Sequence, residues 1–278
     1  MPETLAQPNT DSPKVIPFDF ESYGVFVRIE SNLQEMVDEA ERVLRVALLN
    51  NVRTVRRKNF DLVFQLNRNK RGKRIVIQNG GEIAGGGTQK KFFKFFDSII
   101  RVAIAERAVG LVFLHAGVVG WKGKAILIPA DSFKGKSTLV SELVRNGAEY
   151  YSDEFAIVDA AGLVHPFARR INRRTEDYKT YSLSVEDLGG SYGEMPIPVG
   201  LVLITEYRAN ARWSPKKLRP GQGVLEMIPF TLCLRPRPDF SLEVLNKVVG
   251  NAIIISSLRS TAEKFAKTLL DYIDKQVI

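Results

Sequence analysis

Cysteine is almost missing from this chain: Cys233 is the only one in 278 residues. An intramolecular disulfide is excluded, which suits a reducing cytosol. Cys233 lies in the apolar stretch PFTLCL and reads as a small buried side chain rather than a nucleophile. No apolar run reaches the length needed to span a bilayer, so no membrane partner is expected. The first residues, MPETLAQPNTDSPK, carry no basic start followed by an apolar core. No secretory signal is expected from them, and a cytoplasmic location is. Internal repeats and long low-complexity tracts are also lacking.

What is present is enough apolar material for a sizeable core, 45% of residues, and a net charge of +9. Such a charge admits nucleic acid, a membrane surface or an anionic small molecule as partner. The basic residues gather in the first half: Arg53, Arg56, Arg57 and Lys58, then Arg68, Lys70, Arg71, Lys73 and Arg74, then Lys90, Lys91 and Lys94. Phe92, Phe93, Phe95 and Phe96 interleave with the last group, a pattern that also suits stacking on single strands. The plainer reading is preferred. KKFFKFFDSIIRVAIAERA is one helix that buries the phenylalanines with Ile99, Ile100, Val102 and Ala103, and NRNKRGKR is a solvated turn between strands at 62–66 and 75–78. Nucleic acid is therefore not the expected partner.

The most informative stretch runs from Lys124 to Phe155. Residues 125–128 are a short apolar run suited to a buried parallel strand. ADSFKGKS, residues 130–137, turns the chain. From Thr138 a helix is expected, with Leu139, Val140, Leu143 and Val144 on one face and Asn146-Gly147 as its stop. This is the strand–GxxxxGK[ST]–helix plan of a phosphate loop, with Ala130 in place of the first glycine. Backbone N–H groups of such a loop, together with the positive end of the following helix, bind anions. Asp131, Ser132, Phe133, Lys134, Gly135, Lys136, Ser137 and Thr138 are the candidate nucleotide-binding residues. Lys136 would reach the terminal phosphates, and Ser137 would offer its hydroxyl to Mg²⁺.

Two flanking features complete the pattern. GLVFLHAGVV, residues 110–119, is a central strand, and the GWKG turn returns the chain so that His115 comes near the loop. A lone histidine in an apolar strand is by itself a satisfied core residue. After the helix, Asp153-Glu154 precede the strand 155–159. Adjacent carboxylates on a turn are either solvated charges or a pair that divides metal holding from proton acceptance. Ser137 and Asp153 are the candidate metal ligands, though the residues alone leave open which carboxylate takes which part.

His115-Ala-Gly, ADSFKGKS and Ser-Asp-Glu, taken together, resemble the catalytic core of HPr kinase/phosphorylase and its smaller relatives. The likeness covers roughly residues 111–170. It implies a P-loop-containing α/β core of the HPr kinase/PEP carboxykinase kind, with ATP and Mg²⁺ as cofactors. It also implies that His115 is an active-site histidine, that Lys136 and Ser137 bind phosphate and magnesium, that Glu154 is the base, and that Asp153 is its acidic neighbour. The sequence departs from the family at Ala130, at Phe133-Lys134 and at Glu154, where the family has aspartate. Those departures point to a divergent relative acting on a hydroxyl other than that of HPr.

The remaining chain is read as follows. Residues 1–21 are a loose tail, 22–109 an N-terminal α/β subdomain, and 110–278 the kinase-like domain. A strand at 23–30 leads to a helix from Ser31-Asn32 to about Leu49. GGEIAGGG is a linker or loop. Arg169, Arg170, Arg173 and Arg174 are solvated or meet phosphates. Residues 175–195 are a candidate lid or acceptor loop. Glu206, at the end of the strand 199–205, is a reserve carboxylate, and Arg208 and Arg212 are reserve cations. Residues 216–223 form a Pro/Gly turn. A helix (241–251), a strand (252–258) and a final helix (260–274) close an α/β pattern.

The expected activity is transfer of a phosphoryl group from ATP to a hydroxyl of a protein, peptide or small alcohol, in a chain that is free to form a homo-oligomer. The competing expectations are a nucleotide-binding regulator without transfer and a nucleic-acid-binding protein.

Overall fold

A computed structural model of the chain describes residues 15–131, 134–174 and 180–276. The chain divides into two units between Ala103 and Ile104. In the first unit, the strands are β1 (Ile16–Ser22), β2 (Val25–Ser31), β3 (Arg53–Thr54), β4 (Leu62–Arg68), β5 (Arg74–Gln78) and β6 (Gly81–Gly85). They form one sheet in the order β3-β1-β2-β4-β5-β6. Helix α1 (Gln34–Ala47) lies after β2, and α2 (Gln89–Arg107) follows β6 and runs through the division point. Period-two burial marks the strands. Val25, Val27 and Ile29 of β2 are buried while Phe26, Arg28 and Glu30 are only half covered.

Several expectations for this unit are corrected. Residues 16–21 are not tail but β1, because Phe18 and Phe20 alternate into the core and the Tyr23-Gly24 turn pairs the strand with β2. GGEIAGGG is not a linker; Gly81–Gly85 is an edge strand paired with β5. On α2, Phe92, Phe93, Phe96 and Ile100 are buried, but Phe95 and Val102 face outward, because a helix 3.6 residues per turn cannot turn every phenylalanine inward.

The second unit holds β7 (Leu111–Trp121), β8 (Lys124–Pro129), α3 (Lys136–Arg145), β9 (Glu149–Ser152), β10 (Phe155–Asp159), β11 (Leu163–His165), β12 (Ile171–Arg174), β13 (Thr180–Leu183), β14 (Ile197–Tyr207), β15 (Lys216–Lys217), α4 (Pro220–Met227), α5 (Pro238–Asn251), β16 (Ile253–Arg259) and α6 (Ala262–Lys275). Its eight-stranded sheet runs β11-β10-β7-β8-β14-β16-β15, with β9 on β7 and with β11 also paired to β14. β8, β14 and β16 are parallel, whereas β7 is antiparallel to β8. Alternation along these strands feeds two cores. Ile126, Ile128, Leu201, Leu203 and Ile255 pack with α3 and α6. Ala125, Leu127, Val202 and Ile254 pack with α4 and α5. Both faces are covered, which is why these strands read as continuous apolar runs. Cys233 is fully buried in the second core, as expected.

Here too the structure corrects the sequence reading. Helix α3 begins at Lys136, two residues before Thr138. Residues 216–223 are β15 and the start of α4, with Pro220 at the first helical position, where its missing N–H costs nothing. Of the proposed lid, 175–179 lie outside the described residues. The remainder is largely anchored: Thr180–Leu183 pairs with β12, and Val185 and Leu188 are buried in the core against α3 and α6. Among the described residues no helix is long and apolar enough to cross a membrane.

Candidate functional site

The site is built at the end of β8, where the chain turns into α3. Ile126–Ile128 are driven into the sheet by their side chains, and Ala130 and Asp131 carry the chain out of it. Gly135 then adopts φ 78°, ψ 21°, the left-handed region that a glycine enters without strain. It is the N-cap of α3, and Leu139 N–H donates to its carbonyl at 3.1 Å to start the helix. The first turn of a helix leaves its N–H groups without intrahelical partners, so this end of α3 is electropositive.

β7 delivers the next component. Its pairing passes from β10 to β8 between His115, opposite Phe155, and Ala116, opposite Pro129. Two backbone bonds tie this point to both neighbours: Ala130 N–H donates to the His115 carbonyl at 3.4 Å, and Ala116 N–H donates to the Glu154 carbonyl at 3.2 Å. Gly117 is the place where α3 lies closest. A Cβ there would come 2.7 Å from Val140 Cγ2 and 3.0 Å from Lys136 Cγ.

Lys136 is 7% exposed. Its Nζ donates to the Ala130 carbonyl at 3.2 Å and lies 3.0 Å from His115 Nε2 and 3.4 Å from Nδ1. A lysine ammonium has no acceptor, so the imidazole must accept and must be neutral. Burial, reinforced by the Lys136 charge, holds the His115 pKa down to about 4. Burial also lowers Lys136 to about 8, against the opposing pull of Asp153, Glu154 and Asp131.

The carboxylates differ in environment. Asp153 is buried and accepts from Tyr150 Oη at 2.9 Å. Its pKa is raised, chiefly by burial, while hydrogen bonding from Ser137 and Tyr150 works the other way. Glu154 is less enclosed and meets Arg169, whose Nη1 lies 3.1 Å from Oε2. Ser152 Oγ caps this turn by accepting from the N–H groups of Glu154 and Phe155 at 3.1 Å each.

His115, Lys136, Ser137, Asp153 and Glu154 thus converge, although they come from β7, α3 and the turn after β9. Asp131 and Lys134 are exposed on the loop, and Thr138 is half-buried in the first turn of α3. Ser132, Phe133 and the Arg174 side chain lie outside the described residues. Of the reserve candidates, Glu206, Arg208 and Arg212 are exposed. Arg170 lies 3.9 Å from Asp187, and Arg173 lies 3.8 Å from Glu142 on α3.

Two residues at the site escaped sequence reasoning. The sequence reads Arg169 as solvated or as a phosphate contact, with nothing to tie it to Glu154, and only their 3.1 Å approach in the fold pairs them. Arg259, the last residue of β16, is buried and sends Nη2 to the carbonyls of Lys134 at 3.0 Å and Gly135 at 3.2 Å. No local pattern marks it, because its partners stand more than 120 residues away.

The donor set fits an anion. Among the described residues the buried ammonium is satisfied only by a carbonyl and a neutral ring, which leaves one of its three donors over. For a hard cation, the Ser137 hydroxyl and the Asp153 carboxyl supply oxygen. Among the described residues no group of three His, Cys, Asp or Glu could close on a metal. Further oxygens would have to come from water or a phosphate.

No family model matches the sequence, and no curated protein matches it. Among solved structures the chain is similar to the Hpr(Ser) kinase/phosphatase from Coxiella burnetii, at 10% identity and a TM-score of 0.34, covering 59% of this chain and 95% of that one.

Proposed function

We propose that this protein binds a magnesium–nucleoside triphosphate, ATP foremost, at the amino end of α3 and transfers its γ-phosphoryl group to a hydroxyl. One observation carries the reading: a buried, poorly compensated Lys136 opens α3 beside a neutral His115 and a buried Asp153, though the three lie on separate elements. In this reading the residues from Asp131 to Thr138 line the phosphates. Lys136 contributes its remaining N–H donor, and neutral His115 keeps the ammonium in place. Ser137 and Asp153 would hold Mg²⁺, which supplies charge to the phosphate oxygens. The acceptor oxygen bonds to phosphorus as the β,γ-bridging oxygen leaves with the nucleoside diphosphate. Glu154 takes the hydroxyl proton, and Arg169 orients that carboxylate.

The Glu154–Arg169 ion pair also favours a second reading, a nucleotide-binding regulator without transfer, because one oxygen of that carboxylate is already engaged by a guanidinium rather than held open for an acceptor hydroxyl. Calorimetry with magnesium–ATP, followed by γ-labelled ATP offered with peptide and small-alcohol acceptors, separates the two. Binding with label moving to a hydroxyl, lost in Glu154→Gln, supports the kinase. Binding with no transfer to any acceptor supports the regulator. No heat from any magnesium–nucleotide would sink both.

A further inference from the structure

Arg259 is 4% exposed, yet among the described residues none of its hydrogen-bond partners is a carboxylate. Its Nη2 donates to the carbonyls of Lys134 and Gly135, its Nη1 reaches the Ser260 carbonyl at 3.5 Å, and its Nε is buried without a hydrogen bond. The guanidinium carbon sits 5.7 Å from the Tyr207 ring centroid, across the β14–β16 register. A cation this deep is ordinarily matched by an acid. Here its hydrogen bonds go to the carbonyl side of a loop.

The consequence follows from peptide geometry. The described peptides are all trans, so each C=O and the N–H of the same peptide point opposite ways. Holding the carbonyls of Lys134 and Gly135 from one side therefore turns the N–H groups of Gly135 and Lys136 to the other. Those are the donors that a phosphate would use. The same contact explains the glycine a second time: a Cβ at 135 would lie 2.5 Å from Arg259 Nη2, besides being strained at that φ.

We infer that Arg259 is a positioning residue for phosphate binding, a rear clamp that fixes two loop peptides with their N–H groups toward a polyphosphate and lends them its unmatched positive charge. This rests on the reading of the loop as a nucleotide site. The fork matters, because one planar guanidinium spans two carbonyls and a lysine ammonium on a flexible stem does not hold both peptide planes.

The test uses the full chain and two probes, magnesium–ATP and inorganic tripolyphosphate, titrated calorimetrically into wild type, Arg259→Met and Arg259→Lys, with urea unfolding to establish that each variant is folded at the assay temperature. Arg259→Met is expected to weaken tripolyphosphate about tenfold or more. Arg259→Lys should fall between it and wild type, since it restores charge without the fork. Equal losses for the two probes are expected, as the clamp serves the phosphates and not the base. Wild-type affinity within twofold in Arg259→Met overturns the assignment while leaving the nucleotide reading intact. A wild-type chain that binds neither probe overturns both. If Arg259→Met fails to fold, Arg259→Lys decides: a several-fold loss supports the fork, and unchanged affinity overturns it.

Discussion

At 7% exposure the Lys136 ammonium has exchanged most of its water for one carbonyl and a neutral imidazole. That exchange is unfavourable until an anion arrives, and it leaves a mark on stability. The folded pKa is about 8 against an ordinary 10.5. Between those values the unfolded chain holds the proton that the folded one has released, so folding grows more favourable as pH rises through the window. The penalty is fully present below about pH 8 and amounts to on the order of 3 kcal/mol. Lys136→Met keeps the stem and removes the charge. It is expected to unfold at higher urea than wild type at pH 7, and to lack the gain that wild type shows between pH 8 and 10.5. Parallel stability-versus-pH curves for the two proteins would show that the buried charge is not under strain. Stabilisation accompanied by lost nucleotide binding is the pattern of a residue kept for ligand rather than for fold.

Elements were legible where their signals are local. The strand β8, the turn and α3 announce themselves within about twenty residues through an apolar run, a GKS and a 3.6-residue apolar face. The His115 hairpin follows from Lys122-Gly123, both of which take positive φ in the turn. Elements whose composition argues against their conformation were not legible. Pro17 and Asp19 hid β1, the glycines of Gly81–Gly85 hid β6, and Pro220-Gly221 hid the start of α4. In each case pairing with a neighbour or burial of a few side chains overrode local preference. Gly117 is the case with a functional consequence, since it allows α3 to lie against β7. Gly117→Ala would push a methyl within 2.7 Å of Val140 Cγ2 and 3.0 Å of Lys136 Cγ. The expected cost is about 1–3 kcal/mol in urea unfolding, the usual range for overpacking. A larger proportional loss of magnesium–nucleotide affinity should accompany it, because the displaced group is the lysine stem. A variant that loses stability but binds nucleotide as wild type does would separate the β7–α3 contact from the site.

At the scale of the whole molecule, the charge of +9 posed a choice of partner that composition alone did not resolve. The structure partly neutralises the basic first half. Arg28 meets Asp19 at 2.7 Å, Arg45 meets Glu41 at 2.6 Å, Arg53 meets Glu21 at 3.1 Å and Arg68 meets Glu35 at 2.9 Å. Arg57 covers the Phe26 ring at 3.6 Å, so that aromatic face is not open to a base. Little of this was legible: Arg45–Glu41 is a local i,i+4 pair, but Arg28–Asp19 and Arg53–Glu21 are set by strand register, and Arg68–Glu35 joins β4 to α1. The two kinds of cation should respond differently to salt. Exposed lysines and arginines bind a nucleic acid by releasing counterions, and that binding falls steeply as salt rises. In the proposed site the enclosed Lys136 would meet a phosphate, with Arg259 behind the loop, where mobile ions screen less. Fluorescence anisotropy with a labelled single strand is therefore expected to give weak association that fades between 50 and 200 mM salt, the range over which counterion release acts, roughly alike in wild type and Lys136→Met. Magnesium–nucleotide affinity should change far less over the same range and vanish in the variant. Tight single-strand binding at high salt, displaced by nucleotide, would move the function from the amino end of α3 to the basic half of the chain.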